Sequence, residues 1–359
     1  MSIVSRIETR AKYDPGIEVD SENVLCLHRN ENLFITKDWM REFVASVVSE
    51  VDVVRYPEPS SMSLRCELAK LYDVTPENVF VGNGSDEVLS DLLGLLRERY
   101  ETLSTLDVHF KVYDMLADRF DFAHRTLPGS TFETQKIDDN GWDGLALIDS
   151  PNAITGHHFS DASLRRLAES PGTFIIWDNA YGEFSRDGHA RHLPENMVLI
   201  RSFSKFFGLA AARVGYCIAS TDIVDQLLAR KDSFNVNAFG QHLALRAFSR
   251  YPEFSQFRDV ALYCRETLAR KLRERQFDVR ESGGNYVFAT HPQLSAQYLQ
   301  ERLLGEGIAV RRFPGTLTEN FLRITVPPQS DIDRLIRSLD EIMASSTNGS
   351  ENAQWEIQI

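Results

Sequence analysis

The sequence predicts an α/β protein, with a large doubly wound domain around a mostly parallel sheet and a smaller α+β domain beside it. Three observations carry this expectation. Between about residues 78 and 220, short apolar runs alternate with helical patterns. After about residue 255 that alternation gives way to long helices interleaved with single strand-like runs. And 359 residues, 43% hydrophobic and 25% charged, are enough to bury one large core and a second, smaller one.

Taken in order, the runs of the large domain are "NVFVGNG", "GLALIDSPN", "TFIIWDNAY", "MVLIRSFS" and "VGYCIAS". They are continuously apolar and rich in β-branched or aromatic residues, which predicts parallel strands buried on both faces. "SDEVLSDLLGLLRERY" reads as a covering helix. Further on come the helix "FRDVALYCRETLARKLRER", then "FDVRESGGNYVFATH", a helix near 294–306, "GIAVRRF", "FLRITVP" and a last helix from Asp331. The division expected is an N-terminal segment 1–45 joining the small domain, a large domain 46–250, a small domain 251–345 and a frayed polar tail 346–359.

The formal charge of −13, from 39 basic and 52 acidic side chains, repels nucleic acid and anionic membranes. A phosphate-bearing ligand therefore needs a local positive pocket. The start, "MSIVSRIETRAKYDPG", lacks the apolar core of a signal peptide, and no run approaches the roughly 20 apolar residues of a membrane span, so a cytoplasmic enzyme is expected. Cys26, Cys66, Cys217 and Cys264 are widely spaced and form no CxxC or CxxH group, which speaks against structural zinc and against a disulfide framework.

Three stretches carry candidate chemistry. In "VFVGNGSDEVLSDLL" a strand ends at Gly82 or Gly84, and Ser85 and Asp86 open a helix whose free N–H groups suit an anion; a glycine turn with an N-cap explains the same residues. In "IIWDNAYGEF" Asp178 directly follows an apolar strand, where α/β sheets open onto their ligand crevice, with Tyr181 three residues on; capping of the next segment is the competing account. In "RSFSKFFGLAAARVGY" Lys205 follows another strand, a place where desolvation can turn an ammonium into an amine nucleophile. Ser202, Ser204 and Arg213 add a donor set for one phosphate, although a single lysine is more often solvated surface. Together the three supply a phosphate cradle, a buried carboxylate and an amine, the parts needed to hold pyridoxal phosphate.

At this point the chain resembles the fold-type I, class I/II pyridoxal-phosphate aminotransferases, and within them is most similar to the histidinol-phosphate aminotransferases. The motifs run in order from "KYDPG", "LHRNEN", "RYPEP" and "VGNGSDE" through "SPNAITG", "WDNAY" and "SFSKFFGLAAARVGY" to "KDSFNVNAFGQ", "AVRRF" and "FLRITV". The resemblance implies a transaminase between an amino donor and a 2-oxo acid acceptor, in a homodimer with shared active sites. It implies Lys205 as the amine that bonds the cofactor aldehyde and then moves the substrate proton. Gly84 and the amides of Ser85 and Asp86, with Ser202, Ser204 and Arg213, would hold the phosphate. Asp178 would pair with the ring nitrogen, Asn152 and Tyr181 with the ring oxygen. Phe110 would stack on the ring, with His109 or Tyr113 as alternatives. Tyr56 would reach the neighbouring subunit's cofactor, and Arg323, Arg311 and Tyr13 would face the substrate. Beside Arg311 stands Arg312 as a competitor, and strand alternation alone would point Arg323 outward. Departures from the family pattern, "PNAITG" for PNNPTG and "VPP" after "RIT", lie around the substrate. Related reactions, namely transamination of another amino acid, decarboxylation or cyclisation, share these motifs, and a catalytically silent protein would normally have lost Lys205 or Asp178.

Overall fold

Residues 18–19, 23–128, 142–185, 192–315 and 317–348 are described by a computed structural model. Tyr13 and the tail from residue 349 lie outside them.

The chain enters through β1 (Leu25–Leu27), α1 (Lys37–Val48) and α2 (Met62–Tyr72) and then builds a seven-stranded sheet. Its strands are β2 (Val79–Gly82), β3 (Thr102–Leu106), β4 (Ala123–Leu127), β5 (Leu145–Asp149), β6 (Phe174–Asp178), β7 (Met197–Ser202) and β8 (Gly215–Ile218), in the order β2-β8-β7-β6-β5-β3-β4. Between them run α3 (Ser85–Leu96), α4 (Val112–Arg119) and α5 (Asp161–Ala168), followed by α6 (Thr221–Arg230), α7 (Ala238–Ser249) and α8 (Tyr251–Arg273). The central strands are buried along their whole length, as layers on both faces require. Period-two alternation splits them between two cores: Leu145 and Leu147 of β5 join one, Ala146 and Ile148 the other.

The α/β expectation holds, with differences of detail, among them β3, whose "TLSTL" is interrupted by hydroxyl residues and is absent from the predicted runs. β8 pairs antiparallel with both β2 and β7 and so runs against them, although "VGYCIAS" carries the same apolar signal as its parallel neighbours. Apolarity reports burial on both faces and not direction. The outer strand β4, "AHRTL", is largely polar because it borders the sheet, so the apolar-run criterion passes over it.

A second sheet has the order β1-β11-β12-β10-β9, formed by β9 (Asp278–Arg280), β10 (Tyr286–Thr290), β11 (Ile308–Arg312) and β12 (Leu322–Thr325) around the N-terminal β1. α9 (Ala296–Gly305) and α10 (Gln329–Asn348) complete this part. β1 pairs parallel with β11, and the other pairings are antiparallel. Among the described residues no helix is long and apolar enough to cross a membrane.

Candidate active site

The carboxyl ends of β2, β5, β6 and β7 share one end of the large sheet, and the reversed β8 begins there. In register, Gly215 lies opposite both Gly82 and Ser202. The reversal therefore brings Arg213, two residues upstream, beside the loop after β2. Arg213 itself sits in the left-handed region at φ 53°, a costly conformation for a side-chain-bearing residue and one that clusters at functional sites. Its Nη2 lies 3.2 Å from Asp86 Oδ2. Gly84, at φ 90°, is the N-cap of α3, and a Cβ there would stand 2.7 Å from Arg213 Nη2. No side chain caps this helix, so Ser85 opens it and the first-turn amides face the cavity end. Ser202 Oγ accepts from the Ser204 amide at 3.1 Å, fixing the turn that carries Lys205.

These groups open into a cavity of about 440 Å3. Ser85, Asp86, Ser202, Ser204 and Arg213 line it, together with Lys205, Asp178, Tyr181 and Phe110. Lys205 Nζ donates to the Arg29 carbonyl at 3.1 Å and lies 5.5 Å from the centre of the Tyr181 ring. The Tyr181 hydroxyl accepts from Asn30 Nδ2 at 3.0 Å.

Asp178, at the end of β6, is buried. Its Oδ2 accepts from the Tyr113 hydroxyl at 2.8 Å and its Oδ1 from the Ala180 amide at 3.2 Å. Burial pushes its carboxyl up to about 7; the Tyr113 hydrogen bond opposes that rise, and the charge of Asp149 adds to it. Asp149 is its register partner on β5, also buried and also lining the cavity, and burial raises its pKa as well. The sequence reading passed over Asp149, although "LALID" ends on an acid after an apolar strand just as "IIWD" does. Asn30 was not singled out either, although it stands inside "LHRNEN"; only the tertiary fold brings it to Tyr181.

The second sheet supplies the facing wall. Arg311 and Arg323 are directly opposite on β11 and β12, and both line the cavity, whereas Arg312 does not. Arg323 is buried rather than outward-facing: its Nη1 donates to the Ala153 carbonyl at 2.6 Å and its Nη2 to that of His28 at 2.8 Å. Arg311 and Arg323 thus place two guanidinium groups on this facing wall.

Of the three aromatic candidates Phe110 lines the cavity. His109 Nδ1 is instead 2.7 Å from the Leu106 carbonyl and its Nε2 3.0 Å from Asp114, while Tyr113 faces Asp178. Asn152 is buried beside the cavity and folded into its own loop. Its Nδ2 donates to the Val108 carbonyl at 2.7 Å and to Asp149 at 3.0 Å, and its Oδ1 accepts from Ile154 and Thr155. Tyr56 is 81% exposed and stacks on Phe234 at 4.4 Å, apart from this chain's cavity.

The family described as aminotransferase class I and II matches the chain over residues 22–339. The chain is 30% identical to the histidinol-phosphate aminotransferase of Microcystis aeruginosa, over 93% of this chain and 96% of that protein. It is 32% identical to the histidinol-phosphate aminotransferase of Acinetobacter baumannii, over 92% and 94% respectively. The solved structure of histidinol-phosphate aminotransferase from Sinorhizobium meliloti in complex with pyridoxal-5'-phosphate superposes with a TM-score of 0.79 at 21% identity, covering 90% of this chain and 91% of that one, a likeness of fold. The chain thus belongs to the class I and II aminotransferases: it is a pyridoxal-phosphate-dependent enzyme that moves an amino group between an amino donor and a 2-oxo acid.

Proposed function

We propose that the amino donor is L-histidinol phosphate and that a 2-oxo acid such as 2-oxoglutarate takes the amino group. The observation that carries this reading is the opposed pair Arg311 and Arg323 in a cavity that also holds the Arg213 cradle, within a chain of net charge −13. Two separate cationic groups suit two anions, the cofactor phosphate and an anionic group of the substrate. The names of the relatives support the same donor.

The residues fit the cofactor. Gly84 leaves room for Arg213 beside the α3 amides, which suits a phosphate; the buried Asp178 suits a cationic ring nitrogen; Lys205 suits an aldehyde. When bound, pyridoxal phosphate supplies an electron sink for the substrate Cα. In this reading Ser85, Asp86, Ser202, Ser204 and Arg213 anchor the phosphate, Phe110 stacks on the ring, and Tyr181 and Asn152 orient the ring oxygen. Lys205 Nζ, held near Tyr181, carries the proton to and from Cα. Tyr56 completes the site of a partner subunit, and Tyr13 closes over the substrate. The assembly is then a homodimer, in the cytoplasm, with no nucleic-acid or membrane partner. The N-terminal segment 1–45 belongs with the small domain 251–345 against the large domain 46–250, which the β1–β11 pairing supports.

A second reading, a donor with an apolar side chain, is favoured by one observation. Ala153 and Ile154, which replace the usual family residues, line the cavity, and Ile154 packs with Val108, Phe288, Phe313 and Phe321. Absorption spectroscopy separates the two. Histidinol phosphate converting the bound cofactor to pyridoxamine phosphate, with aromatic and aliphatic amino acids inert, supports the first; conversion by an aromatic amino acid alone overturns it. Lys205→Ala should abolish turnover, a loss of at least about 10^4-fold if general-base and nucleophilic roles both vanish, and retained turnover would remove Lys205 from the chemistry.

A further inference from the structure

We propose that Tyr113 is a positioning residue for Asp178, its hydroxyl favouring the carboxylate over the neutral acid and aiming it at the ring-nitrogen end of the cavity. The inference rests on the role proposed above for Asp178 and deepens it.

The argument begins with packing. α4 buries Val112, Tyr113, Leu116 and Ala117 in the core that also holds Leu103, Leu147 and Ile176. Phenylalanine would fill that space equally well, and a buried hydroxyl is costly unless bonded. This hydroxyl crosses to the end of β6 and donates to Asp178 Oδ2 at 2.8 Å. Burial and the nearby Asp178 charge raise the phenol well above its ordinary range, so it remains a donor throughout the working pH range.

The geometry then selects the form of Asp178. Oδ2 takes the Tyr113 hydroxyl and Oδ1 takes the Ala180 amide, so both oxygens accept, and both hydrogen bonds are stronger to a carboxylate than to the neutral acid. Opposing ionisation are burial and the charges of Asp149 on β5 and Asp86 on α3. Tyr113 is the side-chain donor that counters them. Without it the carboxyl would keep its proton to higher pH and lose its attraction for a cationic ring nitrogen.

The test uses Tyr113→Phe apoprotein, with 13C carboxyl NMR of Asp178 assigned by loss of its signal in Asp178→Asn. The titration midpoint should move up by about one unit, a tenfold change in ionisation constant. In a Lys205→Ala background, where no covalent bond contributes, pyridoxal phosphate should bind Tyr113→Phe about fivefold more weakly at pH 7, the ratio of ionised Asp178 in the two proteins. That deficit should narrow above pH 9, where Asp178 is ionised in both proteins. Coincident titrations, or a binding deficit equal at every pH, would overturn the proposal and leave Tyr113 a packing residue. Should Tyr113→Phe fail to fold, 3-fluorotyrosine placed at 113 keeps the hydroxyl and strengthens it as a donor; the Asp178 midpoint should then fall, and an unmoved midpoint overturns the proposal equally. A wild-type protein that bound no pyridoxal phosphate would defeat the cofactor role of Asp178, while the apoprotein titration would still decide whether Tyr113 governs its ionisation.

Discussion

At the scale of the residue, the site is organised by what each buried polar group must do with its charge. Asp178 is the clearest case. Its folded carboxyl stands near 7 against an ordinary 3.8, so between those values the folded apoprotein holds a proton that the unfolded chain releases. The unfolded state is favoured increasingly as pH rises through that window, by up to about 1.4 kcal/mol per unit from this group. Asp178→Asn apoprotein should therefore lose less stability than wild type between pH 4 and 7, measured by urea unfolding; parallel profiles would show that Asp178 is not held protonated. Asn152 shows the same logic differently, because its amide closes the loop with Asp149 and Val108. Lys205, Asp178 and Tyr181 were legible because each follows a strand signal in "SFSK" or "WDNAY". The Tyr113 hydrogen bond was not, because 65 positions separate donor from acceptor.

At the scale of the element, β8 does most to shape the end of the cavity where the phosphate is proposed to sit. Running against its neighbours, it starts where they finish and delivers Arg213 to the first turn of α3. This contact is too close for a side chain at Gly215: a Cβ there would lie 2.2 Å from the Ser85 nitrogen and 2.4 Å from the Gly84 carbonyl carbon. Both are backbone atoms and cannot rotate away. Gly215→Ala should cost about 3 kcal/mol of stability, with cofactor affinity falling alongside; a thermal unfolding midpoint within a degree of wild type would contradict the contact. The pair Arg311 and Arg323 likewise depends on the β11–β12 register, since a slip of one residue would turn one of them to the other face. The apolar pattern located both strands but not the register, which cross-strand pairing determines.

At the scale of the whole molecule, a surface feature fits the proposed dimer. Val53 is 72% exposed, Val54 91% and Tyr56 81%, with Tyr56 stacked on the partly exposed Phe234. Contiguous apolar groups of this kind mark association surfaces. Light scattering should return twice the chain mass, and Val54→Asp should shift the population toward monomer and weaken cofactor binding; a wild-type monomer with full activity would refute the shared site. The sequence alone determined the α/β class and many of its strands and helices, that an aspartate ends one strand and a lysine follows another, and the family, because apolar period and ordered motifs are local properties of the chain. Only the tertiary structure decided the reversal of β8, the side-by-side carboxylates of Asp149 and Asp178, the opposed arginines and the Tyr113 contact. Each depends on strand order and register, set by how the whole core packs, and the same local residues are compatible with other arrangements.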